Sequence, residues 1–167
     1  MRLRPVVFFA LAAMFSQSFA QSVKDAPLMF IGIGSINIGM SQAQLRNLGF
    51  KLSEEPSGNE QCVEVALNGD DKLLVMLEND WVTRVSSYDP TIKTKLGIHV
   101  GSIEQQVKKA YAKNILIRPH QYDEHGHYLI TKSSNGKYAI VFETDGIRVT
   151  GIHAGLENSA QYVEGCL

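Results

Sequence analysis

Ten consecutive residues, Pro119 to Tyr128, hold three of the chain's five histidines together with Tyr122, Tyr128, Asp123 and Glu124. Imidazole beside carboxylate is a ligand set for zinc, copper or nickel, and the candidate ligands are His120, Asp123, His125 and His127. The segment reads as two arms and the turn of a β-hairpin, where side chains alternate between the two faces. His125 and His127 share a face only if His125 belongs to the strand and not to the turn; His120 stands on the other arm. Alternation weighs against a metal cage, and neither a resident metal nor a cofactor is expected. Two other readings stand: a solvated hairpin tip, or a recognition surface of His120, Tyr122, His127 and Tyr128, with tyrosine giving large, stiff, amphipathic contacts. Trp81, at an Asn79-Asp80 turn, either packs on its own hairpin or serves as a further anchor of that surface.

No other constellation announces catalysis. The run Gly32-x-Gly34-x-x-x-x-Gly39 lacks the spacing of a dinucleotide or phosphate loop and reads as turn glycines. There is no Gly-x-Ser-x-Gly elbow and no His-Glu-x-x-His. Glu54-Glu55 and Asp70-Asp71 fall in expected loops, as solvated carboxylates do. Glu143 and Asp145 parallel Glu78 and Asp80, which suggests strand ends and turns. No catalytic residue is assigned.

The chain that carries these residues has 167 residues, 44% hydrophobic and 20% charged, with a formal net charge of −1. That is a globular composition; it excludes a disordered tail, a fibre, a cysteine-stapled miniprotein and a basic nucleic-acid binder. Arg2 and Arg4, an apolar run from Val6 to Phe15, and Ser18 and Ala20 follow the order of a secretory signal peptide, with a cut expected after Ala20. Without Arg2 and Arg4 the 16 basic side chains become 14 against 17 acidic ones, a net of −3. No membrane span is expected, and the charge gives no reason to seek nucleic acid. Export to the periplasm or the medium makes Cys62 and Cys166, the chain's two cysteines, an expected disulfide tying the C-terminal tail to an early strand.

The sequence repeats once. Ile36 to Ser41 with Leu45 aligns with Ile98 to Ile103 with Val107, and Met76 to Asp80 aligns with Val141 to Asp145. Each copy reads as a helix followed by a meander. Ser41 with Gln44, and Ser102 with Gln105, read as capping boxes; Gly49 and Asn114 suit the helix ends. Ile103, Val107, Ala110 and Tyr111 form an apolar stripe. Expected strands are Phe50–Ser53, Cys62–Leu67, Leu73–Glu78 and Val82–Tyr88, then Ile115–Tyr122, His127–Lys132, Lys137–Thr144 and Ile147–His153. Asn68-Gly69, Asn79-Asp80, Asn135-Gly136 and Asp145-Gly146 supply hairpin turns. The expected class is α+β: tandem helix-plus-meander repeats, 21–89 and 90–167 after a signal peptide at 1–20, forming one extended antiparallel sheet with helices on one face.

The Ile-x-Ile/Val-Gly motif opening a helix before a meander resembles the tandem-repeat fold of the β-lactamase inhibitor proteins and the SmpA/OmlA-type assembly lipoproteins. Arg84 to Cys166 is also similar to a family of small exported bacterial proteins of unassigned function. That likeness rests on Thr94-x-x-Gly97-Ile98-x-Val100-Gly101, Pro119-His120-x-Tyr122, His127-Tyr128-Leu129, Phe142 to Gly146 and Tyr162 to Cys166. It implies a bacterial envelope location and supplies no catalytic residue. The expected function is an exported, non-catalytic binding module, an inhibitor or interaction protein whose partner is an envelope or extracellular protein. The alternative is a periplasmic carrier of a small molecule, glycan or lipid.

Overall fold

The computed structural model describes residues 23–54 and 57–166; the expected signal peptide and its cut after Ala20 lie outside them. Eight strands form one antiparallel sheet in the order β4-β5-β6-β7-β11-β10-β9-β8. They are β4 (Ser57–Gly58), β5 (Cys62–Leu67), β6 (Asp70–Glu78), β7 (Trp81–Ser87), β8 (Ile115–Pro119), β9 (His127–Lys132), β10 (Tyr138–Thr144) and β11 (Val149–Leu156). A small three-stranded sheet of β1 (Leu28–Met29), β2 (Gly32–Ile33) and β3 (Ile36–Asn37) precedes helix α1 (Gln42–Asn47), and α2 (Glu104–Ala110) precedes β8. The protein is thus mainly β within an α+β plan.

The hairpins form where turn chemistry demands them. Asn68 and Gly69 take φ of 55° and 74°, and Asn79 and Asp80 take 49° and 68°, the paired positive values that a tight two-residue hairpin needs. The Asp145-Gly146 connection is longer than expected. The Asp145 carboxylate accepts from the N–H of Ile147 and Arg148 at 2.8 and 2.6 Å, so β11 starts at Val149 and not at Ile147.

The sheet is continuous because β7 and β11 pair antiparallel at its centre, placing Val85 opposite Ala154 and Ser86 opposite His153. Their approach is close. A methyl group on Gly155 would lie 2.1 Å from the Thr83 carbonyl oxygen. One face carries the main core, where Val75, Leu77, Phe142 and Ile152 pack with Leu45 of α1 and Val107 of α2. Burial of such side chains, worth about 1.5–3 kcal/mol each, holds two helices too short to persist alone.

Several expected elements are corrected. Phe50–Ser53 is no strand; Leu52 makes a single bridge to Leu67, and β5 takes the short β4 as its outer neighbour. The glycine-rich run 32–39 contributes strands β2 and β3 as well as turns. Ser41 and Gln44 form the expected capping box. At α2 the cap falls one residue later: the Ile103 N–H donates to Gln106 Oε1 at 2.9 Å, whereas Ser102 Oγ accepts from the His99 N–H. That shift exposes Ile103, breaks the expected apolar stripe, and puts Glu104 in the buried position instead.

The second face is not left open. The C-terminal tail crosses it, with Ala160 packed on Ile130, Ala139 and Val141. The Cys62–Cys166 disulfide joins the tail to β5 across 104 positions. Arg84, only 2% exposed, donates to the carbonyl oxygens of Ser159 and Tyr162 and pairs with Glu64 at 2.7 Å. Glu78 accepts from the Ser159 hydroxyl at 2.6 Å and the Tyr162 hydroxyl at 3.3 Å. The tail carbonyls and the buried guanidinium thus pair with one another, with Arg84 Nε alone of its nitrogens left without a partner, an exchange that a tail merely resting on the sheet would not achieve.

Candidate functional site

Between this tail and the second face lies a cavity of about 210 Å³. Its apolar walls include Ile130, Val141, Ala160 and Val163; Tyr128 and Tyr162 also line it, Glu143 and His153 contribute polar surface, and Arg118, Pro119, Gln121 and Gln161 complete the lining. The sheet register explains the grouping. Glu143 is opposite Tyr128 on β9 and Gly151 on β11, and Tyr128 is opposite Arg118 on β8, so these positions share one face. Gly151 leaves room for the ring of Tyr88, whose edge would come within 3.0 Å of a methyl group there. Tyr88 in turn meets His153 edge-on at 5.9 Å.

Hydrogen bonds converge on the Glu143 carboxylate. His120 Nε2 lies 2.8 Å from Oε1 and His153 Nε2 lies 3.4 Å from Oε2. His120 Nδ1 accepts the backbone N–H of Tyr122 and of Asp123, each at 3.0 Å, so its donated proton sits on Nε2. His153 Nδ1 meets Ser86 Oγ at 2.9 Å, leaving Nε2–H for Glu143. The ordered series is therefore hydroxyl to imidazole to carboxylate, with a second imidazole from the other side.

The electrostatics follow from this geometry. The His153 N–H, against the cost of burial and aided by His120, holds the Glu143 carboxyl down to about 2. Burial is the main influence on His153 and lowers its pKa despite the carboxylate beside it. The site presents an ionised carboxylate, a buried imidazole and phenol rings. Ser86 has the neighbours of a nucleophile but is 1% exposed and does not line the cavity; its hydroxyl satisfies His153.

The sequence candidates separate in space. His120 and Tyr128 belong to this site and stack with ring centroids 4.6 Å apart. Tyr122 is 64% exposed at the rim, and its hydroxyl contacts Glu164 of the tail. His127 turns toward α2 and meets Glu104 at 3.2 Å, where Lys108 also pairs with that carboxylate. Burial pushes the Glu104 pKa up, but Lys108 and His127 outweigh it and hold the group below its ordinary value. His125 lies in the turn between β8 and β9, exposed beside Glu124, and Asp123 Oδ1 accepts the His125 N–H. The four candidate ligands therefore face different ways; among the described residues no group of three or more histidine, cysteine or acidic side chains is placed to hold a metal. Trp81 is 53% exposed on the far hairpin, away from the cavity.

Sequence reasoning passed over Glu143, His153, Ser86 and Arg84. Asp145 does serve the turn as expected, but Glu143 points into the cavity. The available signal was the period of two along β10, which puts Glu143 on the face of Val141 and away from Phe142.

Comparison with known proteins gives fold likeness at most. No protein-family model matches the chain, and no curated protein sequence matches it. The uncharacterised protein yfeY from Escherichia coli superposes with a TM-score of 0.49 at 10% identity, over 77% of this chain and 99% of that one. An extracellular protein containing a SCP domain from Bacillus anthracis gives 0.47 at 11% identity, over 70% of this chain and 43% of that one. No family model and no curated sequence links the chain to the β-lactamase inhibitor proteins or the SmpA/OmlA lipoproteins. The disulfide fits an oxidising compartment. No helix among the described residues is long and apolar enough to cross a membrane.

Proposed function

We propose that the protein is an exported, non-catalytic binding module that recognises an envelope or extracellular protein through the rim of the tail-covered cavity. The observation that carries this reading is the clustering of exposed apolar and aromatic groups there. Tyr122, Tyr162 and Val163 are 64%, 42% and 43% exposed, on a hairpin and a tail that are both anchored to the sheet. Stiff aromatics on a fixed support lose little entropy on binding. An inhibitor of an envelope hydrolase is one form such a module takes. The carrier alternative calls for an enclosed apolar cavity of at least about 300 Å³, larger and less polar than this one.

In the same reading the two meanders are tandem copies, 21–89 and 90–167, preceded by a cleaved signal peptide. The bridges Ser41–Trp81 and Ile103–Arg148 occupy corresponding places, each tying the start of a helix to the entry of the last strand of its own meander, Trp81 opening β7 and Arg148 just preceding β11, and this supports the duplication.

The test is photo-crosslinking in periplasmic extract, with the reactive amino acid at Tyr122 or Val163 and, as a control, at Leu96. A discrete adduct from the two rim positions and none from Leu96 is expected. Adducts that form equally from Leu96, or none from the rim, would refute the assignment.

A further inference from the structure

The chemistry inside the cavity says more about its occupant than the rim does. Glu143 is ionised, its side chain is 29% exposed, and each of its oxygens takes one imidazole contact. A carboxylate oxygen has room for about two hydrogen bonds, so acceptor capacity remains on the cavity side. Neither nearby arginine pairs with Glu143, although Arg118 lines the cavity. Arg84 is turned to Glu64 and the tail carbonyls, and Arg118 donates to Gln161 Oε1 at 3.2 Å. Glu78 and Glu164 add negative charge at the tail and are bonded to Tyr162 and Tyr122 respectively. Ile130, Val141, Ala160 and Val163 offer apolar walls, and Tyr128 and Tyr162 offer ring faces. An apolar stem with a cationic head matches that arrangement: the stem contacts the walls, and the head meets carboxylate and aromatic rings. At about 210 Å³ the space suits a side chain better than the ligands of ordinary small-molecule pockets, which start near 300 Å³.

We infer that the cavity takes an alkylammonium group with Glu143 as its counter-charge, either the side chain of a partner's lysine or a free amine of the same shape. This deepens the binding-module reading and rests on it for the protein source. The carboxylate is poised without a protein cation, and burial of an unpaired charge is tolerated here only because two imidazole N–H groups and the open side of the cavity solvate it. An incoming ammonium replaces that solvation.

The experiment is an NMR titration of the full exported chain, reading the amide signals of Gln121, Tyr128 and Tyr162. The probes are n-butylammonium, the isosteric 1-butanol, butyrate, and a blocked Ala-Lys-Ala tripeptide. Saturable shifts with butylammonium and with the tripeptide are expected, about tenfold weaker shifts with butanol, and none with butyrate. Glu143→Gln is expected to weaken the ammonium probes by about tenfold. Because that change also disturbs His120 and His153, Arg118→Glu is the second variant; it leaves the floor intact, adds negative charge at the mouth, and is expected to tighten them about threefold. Tighter binding of the tripeptide than of butylammonium assigns the cation to a protein partner, and equal binding assigns it to a free amine. Equal shifts with butyrate or butanol, no saturable shift by about 50 mM butylammonium, or weaker binding in Arg118→Glu would overturn the inference. The crosslinking arm separates the two claims. Rim adducts formed equally by wild type and Glu143→Gln, with no ammonium binding, would leave the module and remove the cation. Ammonium binding without adducts would do the reverse.

Discussion

Opening the Cys62–Cys166 bridge tests how the cavity is maintained. The bridge spans 104 positions, and the chain-entropy account puts the constraint lost from the unfolded state at about 4.7 kcal/mol for a loop of that size. Native contacts should survive its removal, since Arg84 and Glu78 still hold the tail at Ser159 and Tyr162. The Cys62→Ser/Cys166→Ser protein is therefore expected to keep its sheet and lose about 3–5 kcal/mol of unfolding free energy. With a urea m-value of about 2 kcal/mol/M, the midpoint drops by roughly 2 M. Urea melts followed by Tyr and Trp fluorescence, for the variant and for wild type with and without reductant, provide the measurement. Reduced wild type and variant should coincide, and both should show a larger m-value than oxidised wild type because their unfolded chains expand further. A midpoint shift below about 0.5 M would refute the reasoning, because the bridge would then constrain little of the unfolded ensemble. Loss of the folded baseline in the variant would refute the other half, that noncovalent contacts suffice to keep the tail in place.

Two further outcomes follow from the same structure. Gly155→Ala puts a methyl group 2.1 Å from the Thr83 carbonyl oxygen, so β7 and β11 must part; a loss above about 3 kcal/mol in the same urea assay is expected, and a near-neutral effect would contradict the register. Stability should also fall with acid in two stages. His153 is held below its ordinary pKa by burial, so the unfolded chain takes up a proton first; that part of the stability is present above about pH 6.5 and is lost below it, at up to about 1.4 kcal/mol per pH unit. Glu143 is lowered to about 2, so its contribution is present above the unfolded carboxyl pKa of about 4.3 and is lost as pH falls toward 2. Melts of His153→Gln between pH 8 and 5 should be flatter than those of wild type; an unchanged slope would count against a buried imidazole.

Much of the scaffold was legible because local chemistry decides it. β5 and β9 coincide with the expected β-rich runs Cys62–Leu67 and His127–Lys132, and the Asn68-Gly69 and Asn79-Asp80 hairpins need only their own φ angles. The disulfide was legible from a count of two and the expectation of export. The misses come from tertiary choices. Ser102 offers as good a hydroxyl as Ser41, yet the chain uses it to fix His99, and α2 starts one residue later. Two-residue strands such as β2 and β3 carry too little periodicity to be read. The site failed to appear for a stronger reason: Ser86 and His153 are 67 positions apart and meet only through the β7–β11 register, which no local pattern encodes. The histidine-rich hairpin drew attention because its residues are neighbours in sequence, but alternation sends His127 toward α2, and His120 is left to meet Glu143.

The seam between β7 and β11 also governs how the molecule is assembled. Each meander can zip from its own hairpins, but the strands that join them are 65 to 71 positions apart and must wait for both halves. Until they meet, each half presents a bare edge lined by residues meant for the centre of a sheet. The second half finds its complement on its own chain or, at high concentration, on another molecule, where β7 of one and β11 of the other would close the identical seam. Refolding yield should therefore depend on dilution, with a half-exchanged dimer as the competing product, visible by size exclusion and retaining the monomer's spectrum.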